Sequence, residues 1–391
     1  MMNKIVEDYS DKRIGIYIHI PFCVKKCAYC DFLSGPADEA TKSDYVDALI
    51  EEIRQNSCID SVATIFFGGG TPSTLNPLLI EDIMTALRQN FNILDEAEVT
   101  IECNPGTVSV GKLMAYKSVG INRISFGLQS ADNTELHAIG RIHTYESFIE
   151  SYECARRAGF DNINIDLISA LPNQTIASWR NTLEKVLRLE PQHISAYSLI
   201  LEEGTPLYRA IEAERQQGID RIPCEEFERK MYYLTEEMLE RAGYEHYEIS
   251  NYAKPGYECQ HNLSYWEPSF YLGFGIGAAS YYNNVRYKNI DDIRKYIAHS
   301  AEKELIRTDI TPLTLHNRME EFMFLGLRKI HGVLKSDFLQ RFGVSYDSVY
   351  GKITSKFLEE GLLVVHEDRV FLTARGIDIS NSVMSEFLFD D

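Results

Sequence analysis

A chain of 391 residues with 45% hydrophobic content can bury a large core and is long enough for two or three domains. Its net charge of −19, from 39 Lys and Arg against 58 Asp and Glu, argues against nucleic acid as a partner, because domains that bind it present a basic face. No apolar run reaches the roughly 18 residues of a membrane span, so at most peripheral membrane association is expected; the opening MMNKIVEDYSDKR has no apolar h-region, which makes a cytoplasmic location the expectation.

The first expected strand, IGIYIHI from Ile14, runs into a C-x3-C-x2-C triplet: Cys23, Cys27 and Cys30 in IHIPFCVKKCAYCDF. Three thiolates this close can hold three irons of a [4Fe–4S] cube and leave the fourth iron open to another ligand. Structural zinc remains the alternative, although such sites favour paired C-x2-C knuckles with a fourth ligand nearby, and Cys30 is followed by Asp31 and Phe32. A disulfide needs an oxidising compartment. The scattered Cys58, Cys103, Cys154, Cys224 and Cys259 read as structural thiols.

Further strands are expected at ATIFFGG, EVTIEC, RISFGLQ, NINIDLI and HISAYSLIL, with amphipathic helices such as TKSDYVDALIEEIRQN, TYESFIESYECARRAGF and TIASWRNTLEKVLRL between them. This order predicts a parallel sheet with helices outside, an α/β architecture of the incomplete (β/α)6 barrel kind. The polar signals converge on one rim. The cysteines follow the first strand, Gly68 to Thr71 follow the second, Glu102 ends the third, Gln129 ends the fourth, and Asp166 lies in the fifth. Barrel enzymes build active sites at that end.

After residue 205, EEFERKMYYLTEEMLERAGY reads as one long helix, followed by an irregular aromatic-rich stretch. GFGIGAAS there lacks the spacing and βαβ setting of a dinucleotide fingerprint and reads as a glycine turn. From about residue 312 the order helix, helix, helix, hairpin predicts an α+β winged-helix-like module. Packing is favoured over DNA binding, since the third helix carries only Lys352 and Lys356 among acidic neighbours. The expected division is 1–205, 206–300 and 301–391.

IHIPFCVKKCAYCDF, FFGGGTP, IECNPG, SFGLQS, GRIH and INIDLISALP, in that order, resemble the radical S-adenosylmethionine (SAM) group that contains the oxygen-independent coproporphyrinogen III dehydrogenases (HemN type) and the HemW-type haem chaperones. The resemblance implies that Cys23, Cys27 and Cys30 ligate the cluster. It implies a SAM site from Tyr17, Tyr29, Gly69, Gly70, Thr71, Glu102, Gln129, Arg141 and Asp166, with glycine amides and the Arg141 guanidinium meeting a carboxylate. In the dehydrogenases a fourth cysteine follows two residues after the third, where this chain has Phe32, and a longer arm precedes the cluster than the 22 residues ahead of Cys23. Both departures, and HNLSYW at His261 to Trp266, point to the HemW type. His261 is then the expected haem iron ligand, against the alternative of a hydrogen-bonded structural histidine. Haem delivery to acceptor proteins, respiratory enzymes among them, and an electron donor such as flavodoxin or ferredoxin follow from the same resemblance. The rival readings are porphyrinogen decarboxylation and radical tRNA modification.

Overall fold

The computed structural model describes residues 13–389. The first twelve residues, on which the expectations about a signal segment and a short arm largely rest, lie outside the described residues. Six strands pair in parallel and in chain order: β1 (Arg13–Ile20), β2 (Ser61–Gly69), β3 (Asn92–Cys103), β4 (Arg123–Gln129), β5 (Asn162–Ser169) and β6 (His193–Ser198). A crossover with at least one helix joins each pair, as parallel neighbours require.

Side chains alternate across these strands, and the alternation separates core from site. Ile14, Ile16, Ile18 and Ile20 of β1 join Ile65 and Phe67, Val99 and Ile101, Ile124 and Phe126, and Ile163 and Ile165 in one buried cluster under the helices. The intervening positions, Tyr17, Phe66, Glu102, Arg123, Ser125, Asn164, Asp166, Ser195 and Tyr197, line a cavity of about 220 Å³ on the concave side. The sheet thus has an aliphatic outer face and a polar, aromatic inner one.

The sheet does not close. β7 (Glu245–Glu248) and β8 (Asn251–Ala253) extend it antiparallel beyond β6. β9 (Tyr271–Phe274) adds in parallel to β1, followed by β10 (Ala279–Tyr282), β11 (Val285–Asn289) and β12 (Arg307–Pro312). The result is one open twelve-stranded mixed sheet, with the expected six β/α units at its centre. The middle of GFGIGAAS, residues 275–278, is the turn between β9 and β10. Gly275 has φ 96°, and a Cβ there would lie 2.3 Å from the Tyr45 hydroxyl, so this close approach requires glycine.

A second core, including Met323, Phe338, Phe342, Tyr350, Val370 and Phe387, lies within helices Leu315–Gly326, Lys335–Phe342 and Tyr346–Glu359 and a small sheet. That sheet orders β13 (Val333–Leu334), β15 (Arg369–Leu372) and β14 (Leu363–His366), giving the winged-helix-like arrangement. Arg286 of β11 grips Glu321 with its two terminal guanidinium nitrogens, at 2.7 and 3.1 Å. The Ile249 and Ile330 amides donate across the same seam, to the Arg328 and Tyr247 carbonyls.

Candidate functional site

The cysteine loop is irregular, but its backbone is pinned. The ladder between β1 and β2 continues past the strand ends: the Gly70 amide donates to the Ile20 carbonyl at 2.8 Å, and Thr71 to the Phe22 carbonyl at 2.7 Å. The Cys23 amide donates to Gly35, and Gly35 returns a bond to Pro21. Ala28 donates to the Ile139 carbonyl and accepts from the Leu207 amide. Cys23, Cys27 and Cys30 are free thiols, each half-buried on this loop.

Each sulfur meets a donor. The Thr71 hydroxyl donates to Cys23 Sγ at 3.5 Å, and Arg141 Nη1 to Cys27 Sγ at 3.4 Å. Burial raises the Cys30 thiol pKa, and the Phe32 backbone amide opposes that rise. Among the described residues no three His, Cys, Asp or Glu side chains gather closely enough for a single metal ion. A cube held at three of its irons needs one thiolate for each of those three, and sulfur-directed donors suit thiolates. Arg141 also has a buried Nε with no partner, an unused donor beside the loop. The residues present therefore fit an anionic cluster with a further acceptor next to it.

Two sequence expectations about this rim change. The amides of Gly69, Gly70 and Thr71 are not free to meet a ligand carboxylate. Gly69 donates to Glu102 Oε2 at 3.2 Å, and the other two hold the cysteine loop. A Cβ on Gly70 would lie 2.8 to 2.9 Å from the Ile20 and Phe22 backbone, so the close approach this glycine permits is to the loop itself. Arg141 does not present a free fork either. Its Nη2 donates to Asn104 Oδ1 at 2.8 Å and to the Gly127 carbonyl, leaving Nε as its unused donor. Gln129 closes β4 in the left-handed region at φ 75°, beside Arg141 and Asn104. Tyr29 packs against the apolar cluster of Ile139, Leu171 and Leu207 and interacts with Arg141, Cys27, Cys30 and Asp166 at the rim.

Tyr17, Glu102 and Asp166 line the cavity on the concave face. Burial, and then the nearby Asp166, push the Glu102 pKa up to about 8. Burial also raises Asp166, against hydrogen bonds from Asn164 at 2.8 Å and Ser125 at 3.0 Å. Sequence reading missed Asn104, Arg123, Ser125 and Asn164. The signal for the last three was their position in register with Glu102 and Asp166 on the polar face of their strands.

His261 is placed otherwise than expected. It sits on the short helix Gln260–Trp266 and points into the lumen, 1% exposed. Its Nδ1 is 2.8 Å from the Thr64 hydroxyl and its Nε2 is 2.9 Å from the Tyr265 hydroxyl, while the ring stacks on Phe66. Both ring nitrogens are taken, and burial drives its pKa down to about 3. Neither nitrogen is free to ligate haem iron. Trp266 lies under the Arg328 guanidinium at 4.4 Å. HNLSYW thus closes the lumen and braces the C-terminal module.

Comparison with known proteins agrees with this architecture. Residues 17–186 match the radical SAM superfamily, and residues 313–379 match the HemN C-terminal domain. The haem chaperone HemW of Lactococcus lactis is 37% identical, covering 96% of this chain and 97% of that protein. The Bacillus subtilis haem chaperone HemW is also 37% identical, covering 95% and 98%. The structure of coproporphyrinogen III oxidase (HemN) from Escherichia coli superposes with a TM-score of 0.83 over 97% of this chain and 91% of that one; at 24% identity it speaks for the fold alone. On these near full-length similarities, the chain belongs to the HemW family of the radical SAM superfamily.

Proposed function

We propose that this chain is a cytoplasmic haem chaperone. It binds a [4Fe–4S] cluster through Cys23, Cys27 and Cys30, binds SAM beside it, and carries haem to acceptor proteins such as respiratory enzymes. The carrying observation is a loop of three thiols, each met by a donor, at the rim of a polar lumen, in a chain whose near full-length relatives are named haem chaperones. A bound cluster supplies one-electron chemistry towards SAM. The residues around it bind and orient. Glu102, protonated at neutral pH, and Asp166 offer both a donor and acceptors to ribose hydroxyls. Arg141 Nε is free for a carboxylate, while Tyr17, Tyr29, Gly69, Gly70, Thr71 and Gln129 shape the walls.

The loop also suits an electron donor. Val24, Phe32 and Ile142 are 62%, 63% and 59% exposed, and the exposed Lys25 and Lys26 stand out in a chain of net charge −19. An acidic donor such as flavodoxin or ferredoxin complements that surface. Haem binding rests on the relatives and is assigned away from His261. The test is anaerobic purification with separate assays for stoichiometric haem binding and for coproporphyrinogen III turnover. Haem bound without turnover is expected; robust turnover with no stoichiometric haem overturns the chaperone in favour of the dehydrogenase.

A further inference from the structure

Asn104 has no role in the readings above, yet it connects two of the three cysteines. Its Oδ1 accepts from Arg141 Nη2 at 2.8 Å, and its Nδ2 donates to Thr71 Oγ1 at 2.7 Å. Arg141 Nη1 reaches Cys27 Sγ, and Thr71 Oγ1 reaches Cys23 Sγ. Chemistry fixes the direction of this chain. A guanidinium has only donors, so the oxygen of Asn104 must face it and the amide NH2 must face Thr71. The Thr71 hydroxyl is then an acceptor towards Asn104, and its single proton is left for sulfur. One guanidinium therefore serves two thiols, Cys27 directly and Cys23 through two neutral side chains. Buried donor chains of this kind polarise one another and strengthen, and Thr71 is fully sequestered from solvent.

We propose that Asn104 is a positioning residue for the cluster: the polarised chain Arg141, Asn104, Thr71 aims hydrogen-bond donors at the sulfurs of Cys23 and Cys27 and raises the reduction potential of the cluster they hold. The proposal rests on the cluster reading above. Donors to ligand sulfur favour the reduced, more negative cluster, and hydrogen bonds to sulfur are among the determinants of cluster potential.

Asn104→Asp separates this role from simple packing. The introduced carboxylate keeps the shape and the bond to Arg141, but it can only accept. The Thr71 proton then turns to that carboxylate and leaves Cys23 without its donor. The experiment is a double-mutant cycle on the full-length, anaerobically reconstituted protein without SAM, read as midpoint potential and reduced-state electron paramagnetic resonance (EPR). Thr71→Val should move the potential to more negative values in the wild-type background and scarcely move it in the Asn104→Asp background. Thr71→Ser, which keeps the hydroxyl, should restore the wild-type value. Equal shifts in both backgrounds, or none in either, overturn the proposal while the cluster reading stands. A wild-type chain that takes up no iron and sulfide overturns the cluster reading itself. If Thr71→Val loses its iron, retention becomes the readout: recovery by Thr71→Ser supports the chain, and equal loss in Thr71→Ser overturns it.

Discussion

With its pKa near 8, Glu102 keeps its proton in the folded protein at neutral pH, whereas an unfolded chain releases it near the ordinary 4.5. Between those values the folded state binds more protons than the unfolded one, so stability falls as pH rises through the window. One group contributes at most about 1.4 kcal/mol per pH unit. Glu102→Gln removes that slope. Melting curves of the metal-free protein between pH 6 and 9 should show the wild type losing stability relative to Glu102→Gln as pH rises; parallel curves would place the Glu102 pKa near 4.5. His261 gives a second residue-scale expectation. Its removal orphans the Thr64 and Tyr265 hydroxyls and leaves a hole beside Phe66. His261→Ala should cost about 3–5 kcal/mol in denaturant unfolding, with haem affinity per folded molecule unchanged. A stable variant with a shifted Soret band would return the axial-ligand role to His261. The histidine and Tyr265 stood together in HNLSYW, but the Thr64 hydroxyl that takes the other ring nitrogen did not stand out, since it lies 197 residues away.

At the scale of elements, Gly70 belongs to a ladder rather than to a ligand cradle. A valine there drives its side chain against the Ile20 and Phe22 carbonyls. Gly70→Val should therefore lower iron content per chain together with SAM binding, measured by iron and sulfide analysis after reconstitution. Full iron with only SAM affinity lost would mean that the loop tolerates the displacement. The six central strands were legible as β-branched and aromatic runs between helical stretches, several of them alternating aliphatic and polar residues as in RISFGLQ. β7 to β12 were not, because they are three to six residues long and are broken by turns such as GFGIGAAS. The same alternation marked the lumen, so the acidic pair was found. Asn104 could not be found this way, because its meaning depends on partners at 71 and 141 that only the fold brings together.

Over the whole molecule, the chain packs around two main cores with a polar seam between them, where Arg286 holds Glu321 and Arg328 covers Trp266. The C-terminal module was readable as a winged-helix type, and Lys356 of its third helix pairs with Glu386 at 2.9 Å rather than standing free for phosphate. The cysteine loop carries a consequence for how this protein matures. Its backbone is held by groups at Gly35, Gly70, Ile139 and Leu207, so the last clamp is made 184 residues after Cys23. At translation rates of 5–20 residues per second, the thiols wait about 10–40 s on the ribosome before that clamp exists. On the proposed cluster reading, iron loading is then a late event, because the cysteine loop is complete only once the sixth strand has been laid down.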